Sequence, residues 1–295
     1  MIRIGFYLMG LKGFECLQSV SDLCKNNKNF QISFVVCSKD QNVVKDYFDE
    51  IKTFSNDEGI DFIERQKDNI KKESDLDFAI SWRWIIKKDV EKLIVFHDSI
   101  LPKLRGFNPL VTALIEGNQE IGVTALRANK DFDKGNILGV NKISINYPLK
   151  ISNAIEIVSG LYSNLILEIL QKAESNILEE QIQDDNKATY SLWRDEEDYQ
   201  IDWSETSDTI KRTIDALGFP YLGASTIYNT QKIRILSASI IEDLEIINRR
   251  SGKILFINNN KPVIVCGKGL LQIETAQYEK EQTEVIFDKL RIRLL

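Results

Sequence analysis

Val95-Phe96-His97-Asp98-Ser99-Ile100-Leu101-Pro102-Lys103-Leu104-Arg105-Gly106-Phe107-Asn108-Pro109 is the stretch on which the reading of this chain turns. It begins inside an apolar run, Leu93 to Phe96, that has the length and composition of a buried strand. His97 follows directly and is the only histidine among 295 residues. The chain then enters a loop holding Gly106 and two of its five prolines. Parallel α/β sheets place their ligand sites at such strand ends. Histidine is also the side chain whose ordinary pKa lies nearest neutrality. A lone histidine is as often a hydrogen-bonded structural residue as a proton carrier, so position alone leaves both readings open.

The flanking segments predict the fold class. Ile2 to Met9 reads as a first parallel strand, followed by Gly10-Leu11-Lys12-Gly13 and a helical spacing of Phe14, Leu17, Val20 and Leu23. Gly-x-x-Gly at a helix start can hold phosphate, but it lacks the full dinucleotide fingerprint and reads equally as a tight turn. Ile32–Cys37, Ile60–Ile63 and Leu76–Ser81 predict strands, with a helix over Val43–Phe54. Beyond His97 come a helix over Pro109–Glu116, a strand over Ile121–Leu126, a polar turn from Asn129 to Gly135, strand character over Ile137–Ile145 and a long helix over Ser152–Leu178. This alternation predicts an α/β protein with a doubly wound, mostly parallel sheet.

Gln181 to Ala188 is polar and acidic and reads as a linker, with Thr189–Arg194 lying back over the first domain. The expected division is 1–188 and 189–295. The second domain should hold a helix over Thr206–Leu217 and then short strands with Gly and Asn turns, a smaller, mainly β, open-barrel-like unit. Its strand edges offer a surface for a homodimer.

Composition narrows the partners. The net charge is -6, no run of Lys and Arg exceeds two, and from residue 204 onward 13 basic residues face 11 acidic ones. That balance argues against a nucleic-acid partner. No stretch of about 18 apolar residues suits a membrane span, and Met1-Ile2-Arg3-Ile4 lacks the regions of a signal peptide, so a cytoplasmic protein is expected. Cys16, Cys24, Cys37 and Cys266 show no C-x-x-C spacing, so free thiols and no metal are expected.

Three motifs in order, His97-x-Ser99-Ile100-Leu101-Pro102-x-x-Arg105-Gly106, Gly122-Val123-Thr124 and Asp133-x-Gly135, resemble the signature of the folate-dependent formyltransferases. In its two-domain plan the chain is similar to methionyl-tRNA formyltransferase. In Trp82-Arg83-Trp84, Phe107-Asn108-Pro109-Leu110 and Asp198–Trp203 it is similar to the sugar N-formyltransferases. The likeness covers most of residues 1–224 and more loosely the rest. It implies a Rossmann-like catalytic domain. The implied reaction moves a formyl group from 10-formyltetrahydrofolate, without a metal, onto the amine of a nucleotide-linked amino sugar for bacterial surface glycan. The Val95 departure described below suggests a subgroup, with pseudaminic-acid-like sugars as one acceptor class.

By the same resemblance His97 carries protons and Asp133 orients it, with Asp131 as the local competitor. Trp82, Arg83, Trp84, Ile85, Ser99, Leu101, Pro102, Leu126, Arg127 and Asn129 would bind the folate. Lys103, Arg105 and Phe107 would face the acceptor; Arg105 reads equally as the partner of a nearby Asp. One position departs from the family: the Asn expected two residues before the histidine is Val95. That Asn helps to stabilise the oxyanion, and loss of one such donor typically costs a hundred- to a thousand-fold in rate. Asn108, a backbone N–H or a water are the replacements to consider. The alternatives are a non-catalytic folate- or nucleotide-sugar-binding homologue, a methionyl-tRNA formyltransferase, and hydrolysis of formyl-folate by water.

Overall fold

Gly5 lies where a side chain has no room: a Cβ there would meet Asp77 Oδ1 at 2.2 Å and Phe34 Cζ at 2.3 Å. It belongs to β1 (Ile2–Leu8), an interior strand of a seven-stranded sheet, and β1 runs between β2 (Phe30–Cys37) and β4 (Leu76–Ile80). The computed structural model describes residues 1–65, 72–87 and 89–295. The remaining strands of the sheet are β3 (Phe62–Glu64), β5 (Leu93–His97), β7 (Glu120–Arg127) and β8 (Ile137–Ser144). Their order is β3-β2-β1-β4-β5-β7-β8. All pairs are parallel up to β5, and β7 and β8 pair antiparallel. The mostly parallel sheet expected from the alternation is therefore present. A separate two-stranded pairing joins β6 (Arg105–Gly106) to β9 (Tyr190–Ser191).

The helices are α1 (Gly10–Asn26), α2 (Phe48–Asp57), α3 (Pro109–Glu116), α4 (Ile151–Glu174) and α5 (Ser207–Ala216). Two helix bounds lie four or more residues from expectation. The second helix starts at Phe48, because Asp46 ties the preceding residues into a turn: its Oδ1 accepts from the Phe48 amide at 3.1 Å and its Oδ2 from the Asp40 amide at 3.0 Å. α4 stops at Glu174, because Asn176 takes φ 53° and the Ile177 amide reaches back to the Lys172 carbonyl at 2.9 Å. This is a left-handed helix end of the Schellman kind. By length and composition α4 is the one described helix able to cross a membrane. Its apolar stripe, including Val158, Tyr162, Leu165, Ile166 and Ile169, is buried, and Tyr162 packs on Phe96 at 5.4 Å.

The chain divides into two compact units: Met1–Leu110, Gln119–Ile145 and Asn153–Leu192 form the first, and Val111–Asn118, Asn146–Ser152 and Trp193–Leu295 form the second. The second unit carries α5 and an antiparallel sheet in the order β10 (Ala224–Tyr228), β11 (Gln231–Ile241), β14 (Leu270–Tyr278), β13 (Lys261–Val265), β12 (Ile254–Asn258). Residues 292–295 then lie along both outer strands. The Ile254 amide donates to Ile292 O, Leu294 N to Gly252 O, and Leu295 N and Ile227 O pair on the β10 side. The edges on which a dimer contact was expected are covered there by the chain itself.

Candidate active site

His97 is the last residue of β5 and is buried, 7 % exposed. Its Nε2 lies 2.8 Å from the Leu104 carbonyl oxygen, and its Nδ1 lies 3.5 Å from Asp133 Oδ1. Both ring nitrogens thus face acceptors. An imidazolium can donate to both, a neutral ring to only one. The 3.5 Å separation is an ion-pair distance, longer than an ordinary hydrogen bond.

The loop after His97 is held from below by Thr124 of β7, the residue paired with His97 in register. Thr124 Oγ1 accepts from the Leu101 amide at 3.0 Å and donates to Ser99 O at 2.7 Å. Ser99 Oγ closes the loop by donating to Lys103 O at 2.7 Å. The Gly-Val-Thr motif therefore builds the floor of this loop. Leu101, buried with Leu126 and Ile137, anchors it to the sheet.

Asp133 reaches the site from the turn between β7 and β8. Its Oδ2 accepts from the Gly106 amide at 2.8 Å, so one carboxylate faces both His97 and the loop that holds His97. The backbone here is unusual: Leu104, Asn108 and Asp133 have φ of 57°, 49° and 57°, and Gly106 has φ 101°. Left-handed residues of this kind cluster at functional sites. Asp131, the competitor, is exposed and pairs with Lys134 at 3.5 Å.

The other expected site residues fall into two groups. Trp82 stacks edge-on with Tyr7 at 5.4 Å and with Trp84 at 5.1 Å, and the Arg65 guanidinium lies 3.9 Å from the Trp84 ring centre. Trp82 Nε1 and Ser81 Oγ are buried and find no hydrogen-bond partner among the described residues. Ile85, Lys103, Phe107, Asn108 and Asn129 are exposed, and Pro102 is partly so. In contrast, Arg83 is ion-paired with Asp40, and Arg127 donates to Glu180 Oε1 at 3.0 Å and to Glu91 O at 2.6 Å. Of the two readings of Arg105, the ion pair is the one observed. Its side chain is 1 % exposed, Nη1 lies 2.8 Å from Asp185, and Nε and Nη2 donate to Gln183 at 3.1 and 2.8 Å. Val95, on the same face of β5 as His97, packs on Leu101, Leu126 and Ile137.

Two sets of residues here have no signal in the motifs. Asp98 is paired with Lys12 of α1 and accepts from Tyr162 of α4. Burial pushes its carboxyl up, but the Lys12 charge and the Tyr162 hydroxyl outweigh this and hold it below the usual carboxylate range. Burial and then the Asp98 charge drive the Tyr162 phenol well above its ordinary value. The second set, Gln181 to Ala188, was expected to be a linker and is instead bound into the first unit. Gln181 and Ile137 exchange two backbone hydrogen bonds of 2.8 Å. The Thr189 amide donates to Pro102 O at 3.3 Å and the Leu104 amide to Thr189 Oγ1 at 2.9 Å. Of the stretch Thr189–Arg194, expected to return over the first domain, Tyr190 and Ser191 pair with Arg105 and Gly106, whereas Trp193 and Arg194 belong to the second unit. A cavity of about 540 Å³ in the second unit, lined among others by Asp202, Trp203, Ser204 and Arg293, contains none of the site residues.

The sequence pattern described as "Formyl transferase" matches residues 80–156, and that described as "Formyl transferase, C-terminal domain" matches residues 194–289. The chain belongs to the formyltransferase family. A methionyl-tRNA formyltransferase of Streptococcus sanguinis (strain SK36) is 29% identical to this formyltransferase-family chain over 188 residues, 64% of this chain and 59% of the relative. The match therefore spans less than two thirds of that relative's length. Among solved structures, an N-formyltransferase from Helicobacter canadensis, in complex with folinic acid and dTDP-3-aminofucose, shares the fold. Its TM-score is 0.68 at 18% identity, over 92% of this chain and 99% of that one. The methionyl-tRNA formyltransferase of Clostridium thermocellum has a TM-score of 0.55 at 19% identity, over 84% of this chain and 99% of that one.

Proposed function

We propose that the protein transfers a formyl group from 10-formyltetrahydrofolate to the amino group of a nucleotide-linked amino sugar. In this reading residues 1–188 form the catalytic domain and 189–295 the accessory one. The observation that carries it is the meeting of His97 and Asp133 at the end of β5, on a loop held by Thr124 and Gly106.

The residues present fit the folate. A flat heterocycle rich in donors and acceptors suits a slot between apolar walls with a few unpaired polar groups. Trp82 and Trp84 supply such walls, and the buried Trp82 Nε1 and Ser81 Oγ lack partners. Bound 10-formyltetrahydrofolate supplies the formyl carbon. His97 accepts the proton that the attacking amine must lose and returns it to the departing folate nitrogen, with Asp133 steadying the cation formed in between. This traffic runs through Nε2 when the acceptor amine takes the place of the Leu104 carbonyl. Arg105, held by Asp185 and Gln183, shapes the loop rather than binding the acceptor, which leaves Lys103 and Phe107 to face it.

The choice of an amino sugar over tRNA rests on the net charge of -6 and the near-balanced charges beyond residue 204. The closer fold likeness to the Helicobacter enzyme points the same way. A second reading, methionyl-tRNA formylation, is favoured by the relative from Streptococcus. The test is turnover of 10-formyltetrahydrofolate with a panel of nucleotide-linked amino sugars, with methionyl-tRNA and with water alone, alongside His97→Ala. Sugar-dependent turnover lost in the variant supports the proposal. Turnover with tRNA alone, or folate binding without turnover on any acceptor, overturns it.

A further inference from the structure

We infer that Gln183 is a positioning residue that sets Asp133 against His97, and that the segment expected to be a linker is part of the catalytic apparatus. The inference rests on the acid–base reading of His97 and Asp133 above.

A single side-chain amide joins the two loops that meet at the histidine. Gln183 Nε2 donates to the carbonyl oxygens of Asp133 at 2.8 Å and Gly135 at 2.7 Å. These are the two ends of the turn that delivers Asp133 in its left-handed conformation. Gln183 Oε1 accepts from Nε and Nη2 of Arg105. Arg105 sits between Leu104, whose carbonyl holds His97 Nε2, and Gly106, whose amide holds Asp133 Oδ2. Gln183 therefore has both amide protons and its oxygen engaged, and its partners are Asp133 itself, Gly135 on the same turn, and Arg105, which adjoins both loop residues that touch the His97–Asp133 pair. The turn has little slack of its own: a Cβ on Gly135 would meet Arg127 O at 1.7 Å. Misplacement of a reacting group by about 1 Å can cost on the order of a hundred-fold in rate.

The chemistry of glutamine distinguishes positioning from mere anchorage. A carboxylate at 183 would still pair with Arg105, and more strongly. It would, however, set an oxygen against the Asp133 and Gly135 carbonyls in place of two donors. If Gln183 only fastened the segment to Arg105, Gln183→Glu would be benign. If it positions Asp133, Gln183→Glu and the apolar Gln183→Met should fail alike.

Because the chain has one histidine, ¹⁵N-histidine labelling gives ring signals that need no assignment. These signals report the His97 environment without substrate, and so independently of whether the proposed reaction occurs. The experiment records the Nδ1 and Nε2 shifts and their pH titration in the wild type, in Gln183→Glu, in Gln183→Met and in the exposed control Lys142→Gln. The groups around the ring are Asp133 and the Leu104 carbonyl, with Asp98 beside it held by Lys12 and Tyr162; none of them is altered. Both Gln183 variants are expected to displace the ring signals and the titration midpoint, while the control overlays on the wild type. Turnover should fall roughly 10- to 100-fold in kcat, with KM within about twofold. Should one Gln183 variant fail to fold, the other decides. Ring signals and titration unchanged in a folded Gln183→Glu protein overturn the inference. A wild type inactive on every acceptor with displaced ring signals in the variants overturns the proposed function and leaves the positioning role standing.

Discussion

Asp133 Oδ1 stands 3.5 Å from Nδ1 of His97, although the two residues are 36 positions apart in the chain. The second oxygen of the same carboxylate holds the Gly106 amide. One carboxylate thus lies against both the ring and the loop whose Leu104 carbonyl faces the ring. His97→Ala is expected to reduce formyl transfer by about 10²- to 10⁴-fold, the usual worth of a positioned acid–base group. Asp133→Asn should lower kcat in the same direction while folate binding persists. Steady-state kinetics with titrated folate affinity checks both, and a kcat within a factor of two of wild type in either variant would remove that residue from the proposed chemistry.

Val95 and Asn108 bear on the missing family Asn. Val95 packs on Leu101, Leu126 and Ile137, so an amide there meets an apolar wall. Val95→Asn is expected to raise the rate less than about tenfold, because a replacement donor serves the oxyanion; a gain of a hundred-fold or more would show that none does. Asn108 takes φ 49° on the loop. Asn108→Gly keeps that conformation open while removing the amide. A fall of roughly a hundred-fold in kcat is expected if Asn108 is the donor, and an unchanged kcat would shift the role to a backbone N–H or a water.

Trp82 Nε1 is buried with no acceptor among the described residues. Trp82→Phe retains most of the stacking on Tyr7 and Trp84 and deletes only the N–H. An acceptor on the folate left unpaired in this way costs about 1–3 kcal/mol, or roughly 5- to 100-fold in affinity. Titration of folinic acid by calorimetry measures it. Equal affinity in the two proteins would place the pterin elsewhere.

Lys12, Asp98 and Tyr162 form a partly buried charged cluster beside His97, with Lys12 and Asp98 side chains 13 % and 20 % exposed. Lys12→Met leaves the Asp98 carboxylate without its cation and is expected to destabilise the protein by about 3 kcal/mol. Since the Asp98 carboxyl is held below its ordinary range, the stability it contributes is fully present above its unfolded value near ~3.9 and is lost as pH falls through its lower folded value. Urea denaturation between pH 3 and 7 should show an acid loss in the wild type that is smaller in Asp98→Asn. Equal slopes in the two proteins would show that the carboxylate contributes nothing to acid sensitivity.

Local pattern was enough for the strands that carry the site. β1, β2, β4 and β5 are short apolar runs bounded by polar or Gly residues, and a parallel strand buried on both faces leaves that trace in any window of residues. His97 was legible for the same reason, since it ends such a run, and Asp133 through the Asp-x-Gly motif. The α2 start and the α4 end were less so, because they depend on particular hydrogen bonds, from the Phe48 and Asp40 amides to the Asp46 carboxylate and from the Ile177 amide to the Lys172 carbonyl. Apolar spacing does not register a bond of that kind.

The sequence by itself determined the α/β class and the β-rich second unit, which follow from periodicity; His97 stood out by its place at a strand end, and Asp133 only through the family resemblance. Only the tertiary structure decided that Arg105 is buried against Asp185 and Gln183, that Asp98 is neutralised by Lys12, and that Gln181–Ala188 is bound in place. The reason is physical. A polar stretch reads as a linker when its side chains are assumed to face water, and Gln183 finds its partners about 50 and 80 residues upstream. Which donor meets which acceptor is set by where the folded backbone brings them, and no local propensity encodes that distance.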